Sequence, residues 1–349
     1  MTIHDDARAA AEAVYDAELA RRTALVDASA EQLETVTLDR DRLAAALAAS
    51  EDDLAAARAR IAALEAGKSR PLVSVYSGMT GASDDPFVSA LAGALTAGTS
   101  YYTGSAYKAG VFTLTALDKA RIARGAALFV TYSASVGTPY TDWADVAEGK
   151  ADDQFRALAT VLKDAPAGSS FSFANEPETR VAQKNQRDNG RNRPEDFAAA
   201  HRHVVEVMRQ IAPKLDYRWW IAGGKTDAEM EKYYPGDAWV DSIGYDPYVW
   251  SWNAPTTTAS EKYAPVAQWL RSRSWGKGKP LGLSETGFDV SKHGEAAASA
   301  FWASVPQAVA DLDLRFVTFF NRGEWTTFPN TKPTAWAGYV AAMKQISGR

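Results

Sequence analysis

From Pro71 onward, short runs of β-branched and aromatic residues alternate with helical patterns. The runs are Leu72–Tyr76, Ser100–Thr103, Ala127–Tyr132, Ser169–Ala174, Tyr217–Ala222, Val240–Tyr245, Pro280–Ser284 and Leu314–Phe320. Helical periodicity fills the intervals, as in Pro86–Thr96, Asp152–Lys163, Pro194–Ile211, Ala264–Arg271 and Glu295–Ala310. A strand followed by a helix returns by a crossover, so successive strands run parallel. Eight such units in roughly 250–280 residues predict an α/β chain folded as a (β/α)8 TIM barrel. A doubly wound open sheet is the rival architecture, but no glycine-rich phosphate loop follows any of the runs.

The chain before Pro71 is a different material. From Met1 to Ala66 there is no Gly, Pro, Trp or Phe, and helix formers dominate. Leu33, Arg40, Leu47, Leu54 and Ile61 share one seam position, and Val36, Leu43, Ser50, Ala57 and Leu64 follow each by three. This a/d pattern predicts an N-terminal coiled coil over residues 1–67, and hence a homo-oligomer. The alternative is a single amphipathic helix lying on the next domain. Gly67 is a suitable helix C-cap, so the second domain is expected over residues 68–349.

Composition removes several function classes. Hydrophobic residues at 46% suit a packed core, not a disordered chain. A net charge of −5 argues against a nucleic-acid partner, which calls for a basic balance. No apolar run is long enough to span a membrane. The absence of cysteine excludes thiolate chemistry, and four histidines are few for a metal centre, so neither metal nor organic cofactor is expected. The N-terminal stretch MTIHDDARAAAEAVYDAELA is polar and acidic and lacks the apolar core of a signal peptide.

Chemistry in such a barrel sits where strands end at the C-terminal face. Strand four ends in Asn175-Glu176, strand six in Tyr245-Asp246-Pro247-Tyr248, strand seven in Ser284-Glu285, and strand eight leads to Asn321 and Trp325. Two carboxyl groups facing across the mouth suit glycoside hydrolysis, one as proton donor and one ionised. Glu178 competes with Glu176 as the acid. All eleven tryptophans lie between Trp143 and Trp336. Trp250, Trp252 and Trp325 follow strand ends and are candidate platforms for the apolar faces of sugar rings. Trp219 and Trp220 are adjacent in strand five, so they face opposite sides, and both are read as packing. His201 and His203 are read as structural or exposed. The polar run Gln183–Arg193 borders the mouth.

These segments resemble clan A of the glycoside hydrolases and, within it, family 26, the β-mannanase type. The resemblance runs from about Leu72 to Met343 and is carried by Trp143–Asp164, Phe197–Gln210, the YYPGDAWVDSIGYDPY segment (Tyr233–Tyr248) and LSETGF. It implies Glu176 as general acid/base, Glu285 as nucleophile and a retaining, double-displacement mechanism. It also implies that Asn175 bonds the sugar 2-hydroxyl and that Tyr248, or else Tyr245, bonds the nucleophile. Substrate contacts are expected from Asn175, Tyr248, Tyr245, Trp250 and Trp325. The chain departs from family 26 in having Asn175 where His is usual. It departs again in having Pro177, Glu178, Thr179 and Arg180 where an Asn-Gly pair and aromatics follow. The expected substrate is therefore a cell-surface or cell-wall polysaccharide, not specifically mannan. A coiled coil on a glycan-degrading barrel with no visible export signal suggests a phage tail-associated enzyme, located in the virion and contacting other tail proteins. Export by a non-classical route is the other expectation. A barrel that binds surface carbohydrate without cutting it is the alternative function.

Overall fold

The computed structural model describes residues 16, 18–22, 70–76, 95–135, 141–180, 188–224, 228–321 and 331–348. The chain divides into two units, Met1–Lys68 and Ser69–Arg349. In the first, residues 16 and 18–22 are helical, and Glu18 pairs with Arg21 (3.2 Å) and Arg22 (2.9 Å). The predicted seam from Leu33 to Leu64 lies outside the described residues, as do residues 86–94 of the helix expected after the first strand.

In the second unit the predicted alternation forms a ring. Its strands are β1 (Leu72–Tyr76), β2 (Ala97–Thr103), β3 (Ala127–Ser133), β4 (Ser170–Phe173), β5 (Asp216–Ile221), β6 (Ser242–Tyr245), β7 (Leu281–Phe288) and β8 (Leu314–Phe320). They pair in parallel in the order β1-β8-β7-β6-β5-β4-β3-β2. The ends of this path meet. Thr96 N donates to Val73 O (3.1 Å), Val73 N donates to Thr96 Oγ1 (2.8 Å), and the Ser74 and Thr99 hydroxyls bond at 2.7 Å. The result is a near-closed eight-stranded barrel. β2 begins three residues earlier than its β-branched run suggests, because Ala97-Gly98-Thr99 is drawn into full register with Ala127-Leu128-Phe129.

The strands are buried on both faces, as parallel strands covered by helices must be. One residue in two points into the barrel. At its floor Ala97, Ala127, Phe129 and Phe316 cluster, and the Arg218 guanidinium lies over Phe316 (3.4 Å) and Phe129 (4.5 Å) while pairing with Asp216 (3.1 Å). Above them runs a hydroxyl chain, Ser74–Thr99–Thr318, with bonds of 2.7 and 3.0 Å. The other residues face the helices. Helix Pro194–Arg209 starts with Pro at its first turn and an Asp196 capping contact, and buries Phe197, His201, Val204, Val205 and Met208. That spacing makes one apolar face. His201 is fully buried among these and is held neutral, its imidazole pushed down to about 3 by burial. His203 instead bonds Asp152 Oδ1 at 2.6 Å.

At the pole opposite the C-terminal strand ends, Arg70 donates to the carbonyls of Ser347 and Gly348. Helix Pro333–Ser347 closes the unit and is capped by left-handed Gly348.

Candidate active site

The chain leaves β4 through an unusual backbone. Ala174 (φ +44°) and Glu176 (φ +51°) are both left-handed, and neither is glycine. Each such residue costs roughly 1–2 kcal/mol and persists only where its surroundings over-determine it. Here they do. Ala174 N donates to Tyr132 O on β3 (3.2 Å), Asn175 N to Thr131 Oγ1 (3.3 Å) and Glu176 N to Trp220 O on β5 (2.9 Å). The kink lifts Asn175 and Glu176 out of the strand between β3 and β5.

β7 presents Glu285 by a different device. Its pairing with β8 slips between Leu283 and Thr286, so Glu285 sits in a bulge, a feature that re-aims side chains beside functional sites. The strand therefore does not stop at Ser284, as the sequence suggests, but runs on to Phe288. Its extension pairs Gly287 and Phe288 with the short strand Tyr248–Val249. That pairing sets Tyr248 beside Glu285.

Glu285 is buried, and both of its oxygens are engaged. Tyr101 on β2 donates to Oε1 and Tyr248 donates to Oε2. Burial and the Glu176 charge hold the Glu285 carboxyl above its ordinary value, although the two phenol donors pull it down. Burial likewise raises Glu176, opposed by its bond to Asp246 and by the Arg180 charge. Asp246 is raised most clearly of all, by burial and by the charges of Glu285 and Glu176. Its Oδ2 accepts from Trp220 Nε1 at 2.6 Å. Among the described residues no N–H or hydroxyl donor reaches its Oδ1, and the group that meets its carboxyl is Glu176.

These contacts set the two glutamates apart. Two carboxyl groups can bond each other only with a proton between them. Glu285 has no carboxyl against it: its two oxygens accept from the two phenols. The two phenols favour the ionised form of Glu285, while Glu176 faces the Asp246 carboxyl instead. Neighbouring carboxyls in such different surroundings are the arrangement by which two acids take different protonation states.

The other candidates fall on both sides of the wall. Tyr245 is wholly buried, with its hydroxyl donating to Tyr263 O (3.0 Å) in the helix layer, so it does not reach the mouth. Strand alternation explains this, since Ser242 and Gly244 take the inward positions against Arg218 and Ser284. Glu178 turns to backbone: its Oε1 accepts from Ala222 N (2.7 Å) and Gly223 N (3.1 Å), and burial pushes its carboxyl up to about 7. Trp250 packs on Tyr248 (5.4 Å between centroids) and stacks on Trp252 (5.0 Å, 4° between planes), which is 74% exposed. Trp325 lies outside the described residues. Trp219 packs outward on Tyr234 and Trp275, as its place in β5 suggests. Trp220 does not merely pack: it enters the mouth, bonds Asp246 and lies edge-on to Tyr101.

Sequence reasoning missed Tyr101 and the network role of Trp220. Tyr101 lies near the end of the strand with the weakest signal, where the Tyr101-Tyr102 pair was the available cue. Among the described residues no cluster of His, Asp and Glu is arranged to hold a metal ion.

Comparisons with known proteins agree with the resemblance to glycoside hydrolase clan A and family 26. The model of glycosyl hydrolase family 26 matches residues 184–267, a stretch that holds Asp246, Tyr248 and Trp250 but neither Glu176 nor Glu285. Solved structures share the fold at low identity. A family 26 β-mannanase from Bacteroides ovatus aligns with TM-score 0.58 and 15% identity over 81% of this chain and 91% of its own. A double mutant of the Cellulomonas fimi endo-β-1,4-mannanase gives 0.58 and 13% over 79% and 71%. A family 39 glycoside hydrolase from Bacteroides cellulosilyticus gives 0.55 and 14% over 80% of this chain and 64% of its own. No curated protein matches the chain.

Proposed function

We propose that the protein is a retaining glycoside hydrolase that cleaves a cell-surface or cell-wall polysaccharide. The observation that carries this reading is the contrast between the two glutamates: Glu285 accepts from two phenols, while Glu176 meets another carboxyl. In the first step Glu285 attacks the anomeric carbon as Glu176 gives its proton to the departing glycosidic oxygen. A covalent glycosyl-enzyme forms. In the second, Glu176, now ionised, takes a proton from water, which attacks the same carbon and releases Glu285. Asn175 bonds the substituent at C2, and Trp250 continues the binding surface away from Tyr248.

E176A and E285A should each lower the release of reducing ends by at least about a hundredfold, the lower range for losing general acid–base help. A panel of polysaccharides that includes β-mannan supplies the substrates. Retention is read by NMR from the anomer that appears first. Full activity in both variants sinks the proposal. Binding of a glycan by the wild type with no reducing ends released selects the non-catalytic carbohydrate-binding alternative.

The reading extends to residues 1–67 as an oligomerising coiled coil, supported by the heptad seam Leu33–Leu64. It also places the enzyme on a phage tail, where several linked copies would engage a repetitive host glycan by avidity. Light scattering that gives a monomer removes the first extension. Absence of the chain from purified virions removes the second.

A further inference from the structure

The helical turn Pro177–Arg180 brings a cation back onto the residues it follows. Arg180 donates from Nε to the main-chain carbonyl of Asn175 (2.6 Å) and from Nη2 to Asn175 Oδ1 (2.7 Å). A guanidinium is a rigid planar fork, so the two bonds tie the main chain and the side chain of Asn175 to one plane. The Thr131 hydroxyl adds a longer contact to the same Oδ1, at 3.4 Å. With Oδ1 so engaged, the carboxamide orientation is fixed. The half of the amide left for a ligand is its NH2, which can only donate.

The carbonyl that Arg180 holds belongs to the residue between two left-handed ones, Ala174 and Glu176. The fork therefore helps hold the kink that lifts Glu176 into the mouth. Other groups bearing on Glu176 are Asp246 after β6, Glu285 on β7, Glu178 on the same turn and Tyr101 on β2. Arg180 is the cation in this set, and its charge opposes the effect of burial on Glu176.

We propose that Arg180 is a positioning residue that fixes Asn175 as a donor-only contact and so selects glycosides carrying an oxygen acceptor at C2. The hydroxyl oxygen of a simple sugar or the carbonyl of an acetamido sugar meets this requirement. The identity of the ligand rests on the hydrolase reading; the clamp itself does not.

Two variants of the full chain separate geometry from charge. R180M keeps the stem and removes every donor. R180K keeps the charge and loses the fork. With asparagine labelled in 15N, and the Asn175 pair assigned from N175D, the side-chain NH2 resonances of Asn175 should move in both variants. On a cleaved glycan, R180M should lose about tenfold or more in kcat/KM, mostly in kcat, the scale of one charge-assisted hydrogen bond. The penalty for a 2-deoxy aryl glycoside relative to its parent should shrink. The basic limb of the pH profile should rise in R180M, since Glu176 without the cation keeps its proton to higher pH, and should stay in place in R180K. Unmoved Asn175 resonances in a folded R180M overturn the proposal. If R180M fails to fold, unmoved resonances in R180K overturn it equally. Absence of turnover by the wild type counts against the hydrolase reading and leaves these resonances as the test of the clamp.

Discussion

Tyr101 and Tyr248 approach one carboxylate from β2 and from the short strand after β6, and each donates a proton to a different oxygen of Glu285. Removing either donor destabilises the ionised form. Y101F and Y248F should each cost about ten- to a hundredfold in kcat/KM, the scale of a hydrogen bond to a charged group. The acid limb of the pH profile should move to higher pH, because Glu285 then keeps its proton further up the scale. An acid limb that stays in place would contradict the assignment of Glu285 as the anion. Glu178 offers a separate test on stability. Its carboxyl is raised to about 7, so between its ordinary value and that point the folded state binds more protons than the unfolded. Stability from this group is full at low pH and is lost as pH rises toward 7. E178Q keeps the acceptor for Ala222 and Gly223 and should flatten this decline, worth up to about 3 kcal/mol. Urea titrations of both proteins at pH 5 and pH 8 read the difference. At this scale the sequence was readable where strand ends carry polar residues, as at Glu176, Glu285 and Tyr248. Tyr245 was separable from Tyr248 only by the inward alternation of β6. Arg180 was invisible, because its partner is set by the kink and not by any spacing.

Among the elements, hydrophobic runs located β1 and β8 to the residue and placed the other strands within a few. What the runs do not encode is the slip within β7. A bulge arises from competition between two neighbours: β7 keeps register with β6 through Leu283 and then pairs its extension with Tyr248–Val249. β7 lies hard against β8 at Gly282. A Cβ on Gly282 would stand 2.5 Å from both Phe316 Cδ2 and Phe316 O. G282A should therefore destabilise the barrel by about 1–3 kcal/mol, as overpacking does, and displace Glu285 as well. Chemical denaturation measures the first effect, and loss of turnover in the still-folded variant measures the second. A variant as stable and as active as the wild type would show that β7 is not held in this way.

For the molecule as a whole, strand–helix alternation predicted a barrel but not how it closes. The seam between β1 and β2 is held by Thr96 and by the hydroxyls of Ser74 and Thr99, short polar residues that carry no periodic signal. T96V should lower stability by about 1 kcal/mol, the loss of a typical hydrogen bond, with the melting temperature as the measure. Arg70 makes a second closure, joining the entrance of β1 to the carbonyls of Ser347 and Gly348. The barrel unit is thus already a loop in space, with its ends side by side at the pole away from Glu176 and Glu285. Its linear order is then a convention of synthesis more than a requirement of the fold. A short linker from Gly348 to Arg70, with the chain reopened at the exposed Ala109-Gly110 turn, should give a circular permutant that folds to the same ring and keeps the same carboxyl pair.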